Sequence, residues 1–259
     1  MFRSVAITVL VASCVAGCGW SGVSDGVAAV ESEGVPLESA GSAAAATTSV
    51  AADGAEPDRE PSDVEEVDTV VEPATVERPS SIAVVGDSLT LSARDEIMSA
   101  LASTGMQIVA VDGLESRRMT RGGSELPPGT EAIEQIRAES ETEPGLWVIA
   151  LGTNDVASVG SLDEFRSEME EVLAEIPPDA PVVWVDLWIA SRRDLVSRAN
   201  LRIRAELSER NSAAAVVDWF SYGDDEGVIT GDGVHLTDAG QQLFADSIVA
   251  AVEELFPVG

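Results

Sequence analysis

The 259-residue sequence contains no lysine, and all 15 of its basic residues are arginines. Chemistry that needs a lysine amine, Schiff-base formation above all, is therefore excluded. Histidine occurs once, at His235, and cysteine only at Cys14 and Cys18, close to the N terminus. A metal site would have to be built from carboxylates, and no calcium-loop spacing of carboxylates is present, so neither a metal nor another cofactor is expected. Positive charge is scarce against 46 acidic residues, and the net charge of −31 removes the basic face that a nucleic-acid backbone requires. Aromatic residues make up 4% of the chain, too few for an obvious sugar-stacking platform, although Trp184, Trp188, Trp219, Phe220 and Tyr222 cluster late. Of these, Trp184 and Trp219 are expected in the core, whereas Trp188 and Tyr222 fall in loops where they can line a site.

The first residues carry one arginine, Arg3, followed by an apolar run from Val5 to Val15. This has the form of an export signal, and it is shorter than the roughly 20 residues a membrane span needs. The run ends in Val15-Ala16-Gly17-Cys18, which resembles the lipobox of bacterial lipoproteins. That resemblance implies cleavage before Cys18, a lipid on its sulfur, and a protein held at the extracytoplasmic face of the cell membrane. Cys14, within the signal region of residues 1–18, would be removed by that cleavage, so no disulfide is expected. A folded part of about 180 residues is large enough to rely on its own core instead.

Residues 19–79 are rich in Ala, Ser, Glu, Asp, Pro and Val, and hold 14 acidic residues against Arg59 and Arg78. No helical or strand period persists there. Such a composition buries too little apolar surface to offset the entropy of ordering, so a disordered acidic tether is expected.

From residue 80 to 259 short apolar runs alternate with amphipathic stretches of 10–16 residues, the pattern of repeated βα units. The runs predict strands at Ile82–Val85, Gln107–Val111, Trp147–Leu151, Val182–Leu187 and Ala214–Asp218. The stretches predict helices near Leu89–Ser103, Thr130–Glu139, Leu162–Ile176, Asp194–Arg210 and Asp238–Leu255, with glycine and proline at the joints. Five parallel strands with helices on both faces, a three-layer α/β/α sandwich, is the expected fold.

Three polar stretches lie where strands end. Gly86-Asp87-Ser88-Leu89 places a serine hydroxyl at the turn from the first strand into a helix, where it serves either, with Asp87, to cap the helix or as a nucleophile. Gly152-Thr153-Asn154-Asp155 follows the third strand, and its asparagine is either a turn residue or an amide donor to a developing oxyanion. Gly231-Asp232-Gly233-Val234-His235 precedes the last helix. A carboxylate three residues before an imidazole can orient it toward a serine, although a lone histidine is as readily structural.

In this order and on these elements, the three stretches resemble blocks of the SGNH, or GDSL, hydrolase family. The resemblance spans about 150 residues and implies a flavodoxin-like parallel sheet of five strands. It implies Ser88 as nucleophile, His235 as general base and Asp232 as the residue that orients it. It also implies an oxyanion hole from the Ser88 N–H, Asn154, and a backbone N–H after the second strand. The family has glycine at that last place, and this chain reads Val111-Asp112-Gly113-Leu114-Glu115-Ser116-Arg117. Gly113 comes early, so Ser116 is the expected third donor.

The implied function is a surface-anchored esterase that removes acyl groups, acetyl among them, from a glycan or another ester through an acyl-Ser88 intermediate. Two alternatives remain open, an O-acyltransferase using the same intermediate and a weakly catalytic glycan-binding module. A monomer is expected. From Ser80 onward there are 32 acidic residues against 12 arginines, yet Arg117, Arg118 and Arg121 follow the second strand, and Arg192 and Arg193 follow the fourth. Arg117 and Arg192 are expected on the rim of the site, either gathering an anionic substrate or pairing with neighbouring acids.

Overall fold

The computed structural model describes residues 77–123 and 125–257. The signal, Cys18 and residues 19–76 of the expected tether lie outside the described residues. Arg78, near the end of the expected tether, is tied to the folded body: its guanidinium donates to the Glu253 carboxylate and to the carbonyls of Phe256 and Thr104.

The five strands are β1 (Ser81–Gly86), β2 (Gln107–Gly113), β3 (Leu146–Ala150), β4 (Val182–Val185) and β5 (Ala214–Val217). They form one parallel sheet in the order β2-β1-β3-β4-β5. The central strands are continuous apolar runs because both of their faces are covered by helices. Alternate side chains feed two cores. Ile82, Val84 and Val148 pack with Leu89 of α1 (Ser88–Ser92), Ile97 of α2 (Arg94–Leu101) and Phe244 of α7 (Asp238–Leu255). On the other face, Val85, Trp147 and Trp184 pack with Ile133 of α3 (Gly129–Glu139), Phe165 of α5 (Leu162–Ala174) and Ile203 of α6 (Arg193–Ser208).

Four features depart from the expected elements. The helix expected over Leu89–Ser103 is two helices, because the Ser92 hydroxyl takes the Leu89 carbonyl at 3.0 Å and Ala93 departs from helical geometry. A short helix, α4 (Thr153–Val156), follows β3 where a turn is expected. The expected end of β4 at Leu187 falls back to Val185, since the Asn200 side chain bonds both the N–H and the carbonyl of Leu187. Trp188, expected to line a site, is buried against Gly223 and edge-on to Phe220, so it belongs to the core, as Trp184 and Trp219 do.

Parallel strands all point their carboxyl ends to one edge of the sheet, so Gly86, Gly113 and Ala150 end side by side. Gly86 is required there: a Cβ at that position would lie 1.9 Å from Thr90 Oγ1. That close approach lets α1 start one residue beyond Asp87.

Candidate active site

Ser88 is the first residue of α1, and the helix is capped by its neighbour: the Asp87 carboxylate accepts from Leu89 N at 3.0 Å. The Ser88 hydroxyl is thereby free of capping duty, and its Oγ lies 3.2 Å from His235 Nε2. His235 Nδ1 is 2.7 Å from Asp232 Oδ2, which completes a hydroxyl–imidazole–carboxylate series. The remaining oxygen of Asp232, Oδ1, accepts from Thr230 Oγ1 and from the backbone N–H groups of Val234 and His235, at 2.8–3.0 Å. These donors, with the His235 contact foremost, hold the Asp232 carboxyl well below the usual carboxylate range.

The Asp232–His235 turn is fixed from two sides. Thr230 N donates to the His235 carbonyl at 2.8 Å, and Ala190 N, on the loop after β4, donates to the Gly233 carbonyl at 2.9 Å. Gly233 has φ of +78°, and a Cβ there would approach the Ala190 methyl to 2.7 Å, so only glycine suits the position.

Asn154, in α4, donates from Nδ2 to the Arg117 carbonyl at 3.0 Å. A primary amide has a second N–H, which is the donor the sequence resemblance assigns to an oxyanion. Ser116 is exposed and has φ of +59°, the only non-glycine residue among those described in the left-handed region. It therefore adopts a backbone conformation that glycine takes at no cost.

Arg117 departs from its expected place on the rim. It is 3% exposed, and its guanidinium is spent on the Gly86, Asp112 and Pro127 carbonyls and on the Asp112 carboxylate. Fully engaged donors have nothing left for a substrate. Arg192 is exposed and lines a cleft of about 420 Å³ with Ser191, Arg193, Asp194 and Arg198. Arg193 leans on the Trp188 ring, 4.7 Å from its centroid, and pairs with Asp224. A larger cleft of about 530 Å³ runs along β2 and α3 past Asp112 and Arg117 and does not include Ser88.

Two carboxyls at the site are buried, which the sequence reading did not anticipate, although Asp87 takes the capping place that reading allowed it. Asp87 is wholly buried, and that burial pushes its carboxyl up to about 6. Asp155 is pushed up to about 7, first by burial and then by the neighbouring Glu168 carboxyl, while its oxygens accept from Met119 N at 3.2 and 3.3 Å. Asp155 thus pins the segment after Arg117 to the start of α4. Nothing in local spacing signals the Asp155 contacts, because its partners Met119 and Glu168 lie 36 and 13 residues away in sequence.

A serine, an imidazole and a carboxylate in hydrogen-bonded series at the carboxyl edge of a parallel α/β/α sheet form an arrangement that serine hydrolases use. The chain belongs to the GDSL-like lipase/acylhydrolase family, whose model matches residues 82–248, and its enzyme class is carboxylic ester hydrolase. Solved structures share the fold. The catalytic domain of peptidoglycan O-acetyltransferase A from Streptococcus pneumoniae superposes with a TM-score of 0.53 at 19% identity, covering 69% of this chain and 96% of that one. A G-D-S-L family lipolytic protein from Veillonella parvula gives 0.54 at 18% identity, over 66% of this chain and 96% of its own. A family 3 carbohydrate esterase from Talaromyces cellulolyticus gives 0.51 at 17%, over 68% and 97%. No curated protein sequence matches the chain.

Proposed function

We propose that the domain cleaves acyl esters of a glycan at the cell surface through an acyl-Ser88 intermediate, and the observation that carries this reading is the Ser88–His235–Asp232 series. With its Nδ1–H donated to Asp232, the neutral imidazole presents Nε2 as acceptor to the Ser88 hydroxyl. As the proton moves to Nε2, Oγ bonds to the ester carbonyl carbon, and the carbonyl oxygen takes the negative charge. The Ser88 and Ser116 N–H groups and the Asn154 amide are its assigned donors. His235 then returns the proton to the leaving alcohol. Water, deprotonated by the same nitrogen, cleaves the acyl-serine and regenerates the hydroxyl.

The half-exposed His235 and Asp232 favour a second reading beside this one, since an acceptor alcohol has the same access as water. Acyl transfer then competes with hydrolysis. The Arg192, Arg193 and Arg198 cleft adjoins the Gly233 turn through the Ala190 bond, which supports a substrate carrying negative charge. The lipobox-like Val15–Cys18 supports anchoring through Cys18. The deciding experiment assays purified protein and its Ser88→Ala variant on short and long acyl esters and acetylated glycans, with and without alcohol acceptors. Turnover lost in Ser88→Ala and greatest on acetylated glycan is expected. Equal turnover by the variant overturns the reading.

A further inference from the structure

The three assigned oxyanion donors come from three separate stretches of the chain, and one buried residue, Arg117, bonds beside each, through its side chain at the first and through its own backbone at the other two. Arg117 Nη1 donates to the Gly86 carbonyl, two residues before Ser88, at 3.1 Å. Arg117 N donates to the Leu114 carbonyl at 3.2 Å, closing the turn in which Ser116 sits with φ of +59°. The Arg117 carbonyl accepts from Asn154 Nδ2 at 3.0 Å. Its fork is completed by the Asp112 carbonyl at 2.8 Å, the Asp112 carboxylate at 3.1 and 3.2 Å, and the Pro127 carbonyl at 3.3 Å.

A 3% exposed guanidinium is costly to bury, and it is tolerated because carbonyls and a carboxylate from β1, β2 and the Pro127 loop all converge on it. Only a planar fork reaches them together. A lysine ammonium presents its donors from a single point and cannot bridge Nε-side and Nη-side partners.

We propose that Arg117 is the positioning residue of the oxyanion hole, holding the ends of β1 and β2 and the Asn154 amide in one fixed geometry. The inference rests on the assignment of Ser88, Ser116 and Asn154 above. Arg117 touches no reacting atom. Its guanidinium, tied to Gly86, Asp112 and Pro127, fixes its own backbone, whose carbonyl takes the Asn154 amide and whose N–H closes the turn that presents Ser116. Donors that must meet a charge present only in the transition state should change kcat far more than KM when they shift.

The test is a double-mutant cycle on the whole protein with Arg117→Lys and Asn154→Ala, each checked for folding by its thermal midpoint. Arg117→Lys should lower kcat by roughly 10- to 10³-fold with KM changed less than about threefold. Because both substitutions disable one device, the double variant should be close to the worse single variant rather than multiply the two losses. A merely structural role would give multiplying losses, or a loss tracking the fraction unfolded, and either overturns the proposal. So does parental kcat in Asn154→Ala or in Arg117→Lys. If Arg117→Lys does not fold, Asp112→Asn takes its place, since it loosens the fork and leaves the backbone carbonyl partners. The same kcat-selective, non-multiplying loss is expected, and its absence overturns the proposal. Ser88→Ala run in the same assay separates the two levels: residual turnover there refutes the acyl-serine reading itself, whereas multiplying losses with Ser88 still essential refute only the role of Arg117.

Discussion

At the residue scale, Asp87 and Ser88 divide two duties that a sequence reading leaves tangled. The carboxylate caps α1 and the hydroxyl faces His235, so Ser88→Ala should abolish turnover and leave the thermal midpoint nearly unchanged. Asp232→Asn should lower kcat by roughly 10³–10⁴-fold without abolishing it, because the amide no longer favours the tautomer that exposes Nε2. Since its neighbours keep Asp232 ionised to below the usual carboxylate range, no acid limb of the rate profile should arise from that group. The series Ser88–His235–Asp232 was legible because its members sit in short motifs of fixed spacing, one after the first strand and one just before the last helix. The role of Arg117 was not. Arginine beside Glu115 and Asp112 reads as a surface charge, and only the convergence of residues 86, 112 and 127, which no local pattern encodes, takes it inside.

At the element scale, the apolar runs made all five strands legible, and the alternation with helices made their parallel direction predictable, while their order in the sheet was not read from it. The ends were set by contacts from afar, such as Asn200 holding Leu187, or by a side chain competing with the backbone, such as Ser92 in the break between α1 and α2. The turn that carries Asp232 and His235 depends in the same way on the loop after β4. Gly233→Ala should force the turn off Ala190 and strain φ of +78°, with a kcat loss of at least tenfold on esters. Steady-state kinetics beside a thermal melt checks this: an unchanged kcat would mean that the turn does not need its Ala190 contact.

At the scale of the whole molecule, buried carboxyls set how the fold responds to pH. Asp87 and Asp186 are pushed up to about 6 and Asp155 to about 7, each chiefly by burial, from an ordinary value near 3.8. Between the ordinary and raised values the folded state keeps protons that the unfolded state has lost, so stability declines as pH rises through about 4–7. The surplus of acidic residues beyond Ser80 acts in the same direction. The thermal midpoint should therefore be higher at pH 5.5 than at pH 8, by about 2–4 °C for each kcal/mol lost. A midpoint that rises toward pH 8 would show that these groups ionise freely in the fold. Charge also bears on substrate: Arg192→Gln should raise KM for an anionic ester more than for a neutral one, and the difference should shrink with added salt. The central claim is that one hydroxyl in the chain, Ser88, is the activated nucleophile. Treatment with a fluorophosphonate followed by intact-protein mass and peptide mapping tests it most directly. One adduct per chain on Ser88, absent from Ser88→Ala and formed far more slowly in His235→Ala, is the expected result. An adduct on another serine, or labelling of Ser88 at an unchanged rate without His235, would contradict it.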